Sequence, residues 1–416
     1  MKGFRWFVMF MIFLACVINF LDRSALAYVI EPLQKTYGLS NADFGLISSA
    51  FGISYLLMTF IGGLLVDKFG SRKILTIFSI LWSISSACIG LVSGFYSLFI
   101  LRIFLGMAEG PAFPSLTRVS SDWLPAKEKA KALSLSLAAV PFSSVIGAPF
   151  ITQLISHFGW RTMFYILGSL GIVWSIIWYI IFRDHPSENP YTSPAEKQYI
   201  KTHLQHQKPA NTKAKISDLF KNPQLILAYL SYFCLGYLLS FSISWLPGYL
   251  HQTQQMSIET TGWFLTLPWF VATIFILIGG SCSDWLWNKT QSIRVSRFYL
   301  IAAGQMLSAL TLLPLLQKPS IEIIAISISL GIGFGLFPMS AFFSLNSDLA
   351  QSQAGASQGI MSGCLGLASF IAPSLTGWLA ASNGDFNKAI LVIIVLSLGS
   401  SLFIIFTQHP DRLMKK

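Results

Sequence analysis

Long apolar runs, separated by short polar turns rich in Gly and Pro, dominate the chain. From Trp6 to Leu21 no residue is charged, and comparable runs recur almost to the last residue. Read against turn and charge signals, the pattern predicts twelve helices near 6–30, 43–66, 74–94, 96–121, 130–156, 160–182, 223–250, 260–283, 297–316, 320–345, 354–381 and 388–407. Runs of about 20 apolar residues match a roughly 30 Å hydrocarbon layer, and they are far too long for barrel strands. The expected fold is therefore an all-α membrane protein. The only long polar segment, 184–222, divides the helices six and six. It predicts an N-terminal six-helix bundle over 1–183, a linker over 184–222 and a C-terminal six-helix bundle over 223–416, with a short surface helix at 194–207.

Composition agrees. Of 416 residues, 54% are hydrophobic and 11% charged, and the mean hydropathy is +0.63. A soluble protein of this size needs roughly a quarter of its residues charged to cover its surface. Basic residues set the orientation. With the N-terminus in the cytoplasm, the opposite side holds only Lys35, Arg161, Lys318 and Lys388. Apart from Arg23 and Arg102 inside the apolar spans and Arg118 near the cytoplasmic end of helix 4, every other Lys and Arg falls on the cytoplasmic side. Both termini and the linker are thus expected in the cytoplasm. Attraction to anionic lipid headgroups accounts for the net charge of +11 with no nucleic-acid partner. Lys2 and Arg5 before an apolar run look like a signal peptide, but the run is too long and no small-residue cleavage site follows. A retained first helix is expected. The five cysteines have no CxxC or metal-ligand spacing, and no histidine falls within an apolar span. No metal, cofactor or catalytic constellation is expected, so the chain is not read as an enzyme.

Four charges interrupt the apolar spans: Asp22 and Arg23 in the first helix, Arg102 and Glu109 in the fourth. Each costs about 2.5–3.5 kcal/mol at a helix centre, roughly 10 kcal/mol together, unless paired or hydrated. Counted along helix 1, Asp22 and Arg23 lie about 24–26 Å from the inner face, and Arg102 lies about 9 Å below the outer face on helix 4, so Asp22 and Arg102 share a level. Glu109 is about 10 Å deeper, on the same helix face as Arg102. The expected arrangement pairs Asp22 with Arg102. Arg23 is then left to present its planar fork to a carboxylate, and Glu109, desolvated near the midplane, to load and release a proton. The C-terminal half has no intramembrane charge. Its polar candidates are Asn346, Ser347, Tyr237 and Ser242.

The halves echo one another. "GGLLVDKFGSRK" at 62–73 has a counterpart in "GGSCSDWLWNKT" at 279–290, Phe113-Pro114 in Phe337-Pro338, and "IGAPF" in "FIAPS". Two six-helix pseudo-repeats are expected, an organisation common among transporters. "GGLLVDKFGSRK" resembles the loop signature of the major facilitator superfamily. In that reading Gly63, Asp67, Gly70, Arg72 and Lys73, with Asp284 at the equivalent place, form a gate motif. Gly62 and Gly63 allow close helix packing, and Asp67 faces Arg72 and Lys73. "NFLDRSAL", "RIFLGMAEGPAFP" and "NSDLAQSQAGASQGI" together resemble the superfamily's anion:cation symporter branch.

The resemblance implies a carboxylate-binding role for Arg23, a proton site at Glu109, a pair between Asp22 and Arg102, and a pocket-lining aromatic at Tyr55. Phe20 and Val140 stand where some members have Tyr and Gln, which weakens the expectation of a heavily hydroxylated substrate. Pro111, Pro114, Pro141, Pro149, Pro338 and Pro373 are expected to kink or interrupt their helices. The expected function is proton-coupled uptake of an organic carboxylate, such as a sugar acid, by alternating access. The implied setting is a monomer in a bacterial inner membrane, its partners an organic anion, protons and lipid. The alternative reading is proton-driven efflux, which Gly147-Ala148-Pro149 faintly suggests.

Overall fold

The computed structural model describes residues 3–203, 216–317, 319–350, 353–380 and 386–407. Of the orientation signals, Lys2, Lys208, Lys213, Lys215, Lys318, Arg412, Lys415 and Lys416 lie outside the described residues, as do the side chains of Lys127, Lys129 and Lys131 and the end of the predicted surface helix, 204–207. Eleven helical segments among the described residues are long and apolar enough to cross a membrane. One of them, α7 (Ala126–Ile181), runs through Gly159 at φ 78°, ψ 160°, where the chain turns. It therefore holds the predicted fifth and sixth helices.

The remaining elements follow from local chemistry. α1 (Phe4–Ala25) continues through a 3₁₀ turn into α2 (Ile30–Tyr37), which ends at Gly38 with φ 66°, the left-handed conformation that closes a helix. The first helix thus outlasts its predicted end at residue 30. α3 (Asn41–Phe69) and α4 (Ser71–Ile89) meet at Gly70. The fourth span breaks at Gly110-Pro111 into α5 (Phe95–Glu109) and α6 (Ala112–Trp123). α8 (Pro194–His203) is the linker helix. Asn222 caps α9 (Pro223–Ser244), its side chain accepting the Gln224 amide, with Pro223 pre-set at the first position. Trp245 separates α9 from α10 (Leu246–Gln254). Ser257 caps α11 (Ile258–Thr290). A π-helical turn over Arg294–Tyr299 leads into α12 (Leu300–Leu312). The tenth span breaks at Phe337-Pro338 into α13 (Ile321–Leu336) and α14 (Met339–Ala350), followed by α15 (Ala354–Leu379) and α16 (Asn387–Thr407).

Pro141, Pro149 and Pro373 lie inside continuous helices and do not interrupt them, contrary to expectation. Membrane helices tolerate proline where local adjustment and neighbouring groups can meet the freed carbonyls. The breaks fall at Gly110-Pro111 and Phe337-Pro338, so Pro338 corresponds to Pro111 and the Phe-Pro echo at 113–114 is out of step with it.

The chain forms two compact units, Met1–Leu39 with Ala50–Pro209, and Ser40–Ser49 with Ala210–Lys416. The first part of α3 thus packs with the second unit, where Ser49 Oγ accepts the Ser374 amide at 3.0 Å. The units repeat one pattern of pairs. In the first, α7 packs on α1 and α4; in the second, α15 packs on α9 and α16 on α12. A Cβ at Gly62 would stand 2.7 Å from Pro111 Cα, and one at Gly279 would collide with the Phe337 carbonyl. Helices two and four of each unit therefore touch through a glycine at the break, as small residues permit in lipid. Outward faces are apolar: Leu64 is 73% and Phe60 57% exposed.

Candidate functional site

The charged cluster of the first unit is built on α1, α3 and α5. Gly106 sets the spacing: a Cβ there would collide with Ser54 Oγ and the Phe51 carbonyl. α5 thus lies against α3 and brings Arg102 and Glu109 beside Phe51 and Tyr55. Phe51 and Tyr55, one turn apart, stack at 5.6 Å and 15°. The Arg23 guanidinium sits over Phe51 at 4.6 Å, Tyr55 at 5.3 Å and Phe20 at 5.7 Å. Arg102 approaches the same Phe51 ring at 4.9 Å. Two guanidinium groups share one aromatic ring, whose negative faces partly offset their charge.

The carboxylates are more deeply sealed. Asp22 and Glu109 are each 0% exposed. Asp22 does not pair with Arg102, as its depth predicts; its Oδ1 accepts from Ser86 Oγ on α4 at 2.7 Å. A shared depth leaves the rotation of each helix open, and α1 turns Asp22 toward α4. Arg102 Nε and Nη1 and both Glu109 oxygens are buried without a hydrogen-bond partner among the described residues. Glu109's electrostatic neighbours are Arg23, Asp22 and Arg102, with the Asn19 side chain beside it. Tyr55 lies within the field of both Arg23 and Glu109. Phe20 is buried and lines a small pocket with Cys16, Asn19, Ala112 and Phe113.

In the second unit Asn346 is buried in a polar chain: its Oδ1 accepts from Ser357, its Nδ2 donates to Gln358 Oε1 at 3.3 Å, and Ser357 meets the Tyr229 hydroxyl. Ser347 is exposed. Ser242 bonds its own helix at the Leu238 carbonyl. Tyr237 Oη and Thr376 Oγ1 are buried without a hydrogen-bond partner among the described residues.

The loop motif departs from its expected contacts. Asp67 does not face Arg72 and Lys73; it accepts from Arg118 on α6 at 3.1 Å, and Arg118 also bonds Asp122 at 2.7 Å. Arg72 folds back on Tyr179, 4.3 Å above its ring and donating to its carbonyl, while its amide donates to Asp184 at 2.9 Å. Lys73 is exposed. Gly70 adopts φ 81° with Asp184 where a Cβ would stand. Gly62 makes the close approach, whereas Gly63 faces open space. In the second unit Arg297 bridges Asp284 and Asp348, each at 3.5 Å, and donates to Ser283. Each unit thus has an acid–Arg–acid chain that starts from the corresponding acids Asp67 and Asp284, although its arginine comes from α6 in the first unit and from the turn before α12 in the second.

The sequence profile of the Major Facilitator Superfamily matches residues 12–373. The chain belongs to this superfamily. It is similar to a hexuronate transporter of Bacillus subtilis, 28% identical over 411 residues covering 97% of this chain and 94% of that protein. A probable galactarate/D-glucarate transporter of the same organism is 31% identical over 428 residues, 98% of this chain and 92% of the relative. Among solved structures, a bacterial homolog of the human lysosomal transporter Spinster, inward-facing and occupied, aligns with a TM-score of 0.79 at 17% identity over 97% of both chains. That identity supports the fold alone. The chain is a multi-pass membrane transporter and not an enzyme.

Sequence reasoning placed the transporter's four charges in one region but missed their immediate partners. Phe51 was signalled only by its four-residue spacing from Tyr55. Ser86 sits in a small-residue run with nothing to distinguish it. Asn19 was visible as a lone amide in an apolar run, three residues before Asp22.

Proposed function

We propose that this transporter carries an organic carboxylate, such as a sugar acid, inward together with a proton by alternating access. The observation that carries the reading is the grouping of Arg23, Arg102 and a sealed Glu109 around Phe51 and Tyr55. Arg23, half-buried over three aromatic faces, offers a planar fork to a carboxylate, while Tyr55 and Phe20 line its approach. The relatives named for hexuronate and for galactarate/D-glucarate both carry acids, which supports the substrate class.

Glu109 is assigned the proton. An ionised carboxylate with both oxygens sealed and unbonded carries a desolvation cost of several kcal/mol, which protonation removes. Asp22, held by Ser86, and Arg102 tune that site. The acid–Arg–acid chains are assigned as latches that break and reform during the cycle. The basic asymmetry supports cytoplasmic termini, and the bacterial relatives support a place in a bacterial inner membrane.

Proteoliposomes test this. With an acidic exterior, labelled D-glucuronate or D-glucarate is expected to accumulate against its gradient, and a protonophore to collapse the accumulation. Glu109→Gln is expected to abolish gradient-driven accumulation while retaining exchange, and Arg23→Ala to abolish both. Accumulation by Glu109→Gln at the native level would overturn the proton assignment.

A further inference from the structure

Asn19 lies on α1 one turn before Arg23 and is 7% exposed. Its Nδ2 is buried without a hydrogen-bond partner among the described residues, and so are both oxygens of Glu109. The Asn19 side chain adjoins the Glu109 carboxyl. It also lines the pocket formed by Ala112 and Phe113, the residues just past the break that ends α5 at Glu109. A sealed amide donor and a sealed carboxyl acceptor thus stand side by side, each lacking what the other supplies.

We propose that Asn19 is the positioning residue for Glu109, its carboxamide bonding the carboxyl in both protonation states. Nδ2 donates to the carboxylate, and Oδ1 accepts from the acid. An amide is the side chain suited to this, because it carries both donor and acceptor and no charge. It can follow the proton without adding a titration of its own. The charged and titratable groups around Glu109 are Asp22 and Arg23 on α1, Tyr55 on α3 and Arg102 on its own helix, with Cys16 of α1 beside Tyr55; α4 reaches the cluster through Ser86 on Asp22. Arg23 and Arg102 attract the carboxylate, and Asn19 lies one turn nearer the start of α1 than Arg23.

This inference rests on Glu109 as the proton site, and the test separates the two. Purified protein in nanodiscs is titrated while infrared difference spectra record carboxylic-acid carbonyl bands. The Glu109 band is the one lost in Glu109→Gln. In Asn19→Leu, similar in size and apolar, the band's midpoint is expected to move by about one pH unit and its frequency to increase, as the acid loses its acceptor. Asn19→Ser, whose hydroxyl donates and accepts, is expected to return both toward the native values. Asn19→Asp keeps the shape and is expected to split the titration into two steps. A structural role alone would leave midpoint and frequency unmoved. If Asn19→Leu and Asn19→Asp both reproduce the native band, the inference is wrong while the proton site stands. If no band disappears in Glu109→Gln, both readings fall.

Discussion

Replacing Glu196 with Gln should loosen the start of the first helix. Glu196 is the buried acid of α8, 5% exposed. Its Oε2 accepts the amides of Gly3 and Phe4 at 3.1 and 3.0 Å, and its Oε1 accepts the Arg5 amide at 3.2 Å and the Arg5 guanidinium at 2.9 Å. The first amides of a helix have no internal partner, and a carboxylate there meets both the bare donors and the positive end of the helix. In Glu196→Gln one oxygen becomes an NH2 group directed at N–H donors. At least one charge-assisted set is lost and one buried donor is left opposed.

Breaking one side of a buried ion pair costs about 3–5 kcal/mol. Arg5 is partly exposed and keeps a second partner in Glu128 at 2.8 Å, so the expected cost is about 2–3 kcal/mol. For a unit of this size that lowers the apparent unfolding temperature by roughly 5 °C. Detergent-solubilised protein heated with a thiol-reactive dye provides the assay, since all five cysteines are unpaired. Glu128→Gln, at a site 20% exposed, serves as the control and should cost less than about 1 kcal/mol. Equal melting of Glu196→Gln and native protein would refute the claim that α8 anchors the helix.

Other outcomes follow from the same geometry. The Glu128 carboxyl is held below its ordinary range chiefly by the hydrogen bond from Arg5. A depressed carboxyl contributes stability above its ordinary range and loses it as pH falls through the depressed value; Glu128→Gln should therefore lose less stability than native protein as pH falls below about 4.5, as melting over an acid series would read. Gly62→Ala should cost about 1–3 kcal/mol by forcing a methyl against Pro111, whereas Gly63→Ala should be near neutral; equal melting of the two would contradict the packing. Phe20→Tyr adds a hydroxyl beside Arg23 and should lower KM for D-glucarate about two- to tenfold, with little change for a carboxylate lacking hydroxyls, measured by uptake competition.

Much of this architecture was legible because lipid simplifies the reading. Backbone groups within the hydrocarbon must bond internally, so apolar length alone defines most helices, and a glycine such as Gly159 marks a turn even between two long runs. The four intramembrane charges were equally visible, because each is costly and therefore rare. Helix rotation was not legible. Asp22 and Arg102 share a depth, yet α1 turns Asp22 onto Ser86, and no spacing rule chooses between a cation on one neighbour and a hydroxyl on another. Contacts between distant loops were hidden for the same reason. Asp67 has Arg72 and Lys73 nearby in sequence, but its bond is to Arg118, 51 residues away. The linker's role was obscured by its polarity: Glu196 sits among charged and amide residues, and only the fold shows it buried against the start of α1.

The distribution of strain separates stability from transport. Among the described residues of the first unit, the charged side chains with sealed and unbonded atoms are Asp22, Arg102 and Glu109, all in one cluster. Ion pairs of the same unit, such as Arg5 with Glu128 and Glu196, or Arg118 with Asp67 and Asp122, are bonded and lie near helix ends. A fold selected for stability alone would bond the buried charges first, because an unsatisfied polar group costs about 1–3 kcal/mol and a charge more. Here the satisfied pairs lie near helix ends, and the unsatisfied ones gather where close helix contact at Gly106 sets α5 against α3 and two guanidinium groups approach the Phe51 ring. Such a cluster is stabilised by whatever completes it. A carboxylate on Arg23 and a proton on Glu109 would each relieve part of the same deficit, so each should make the other bind more tightly.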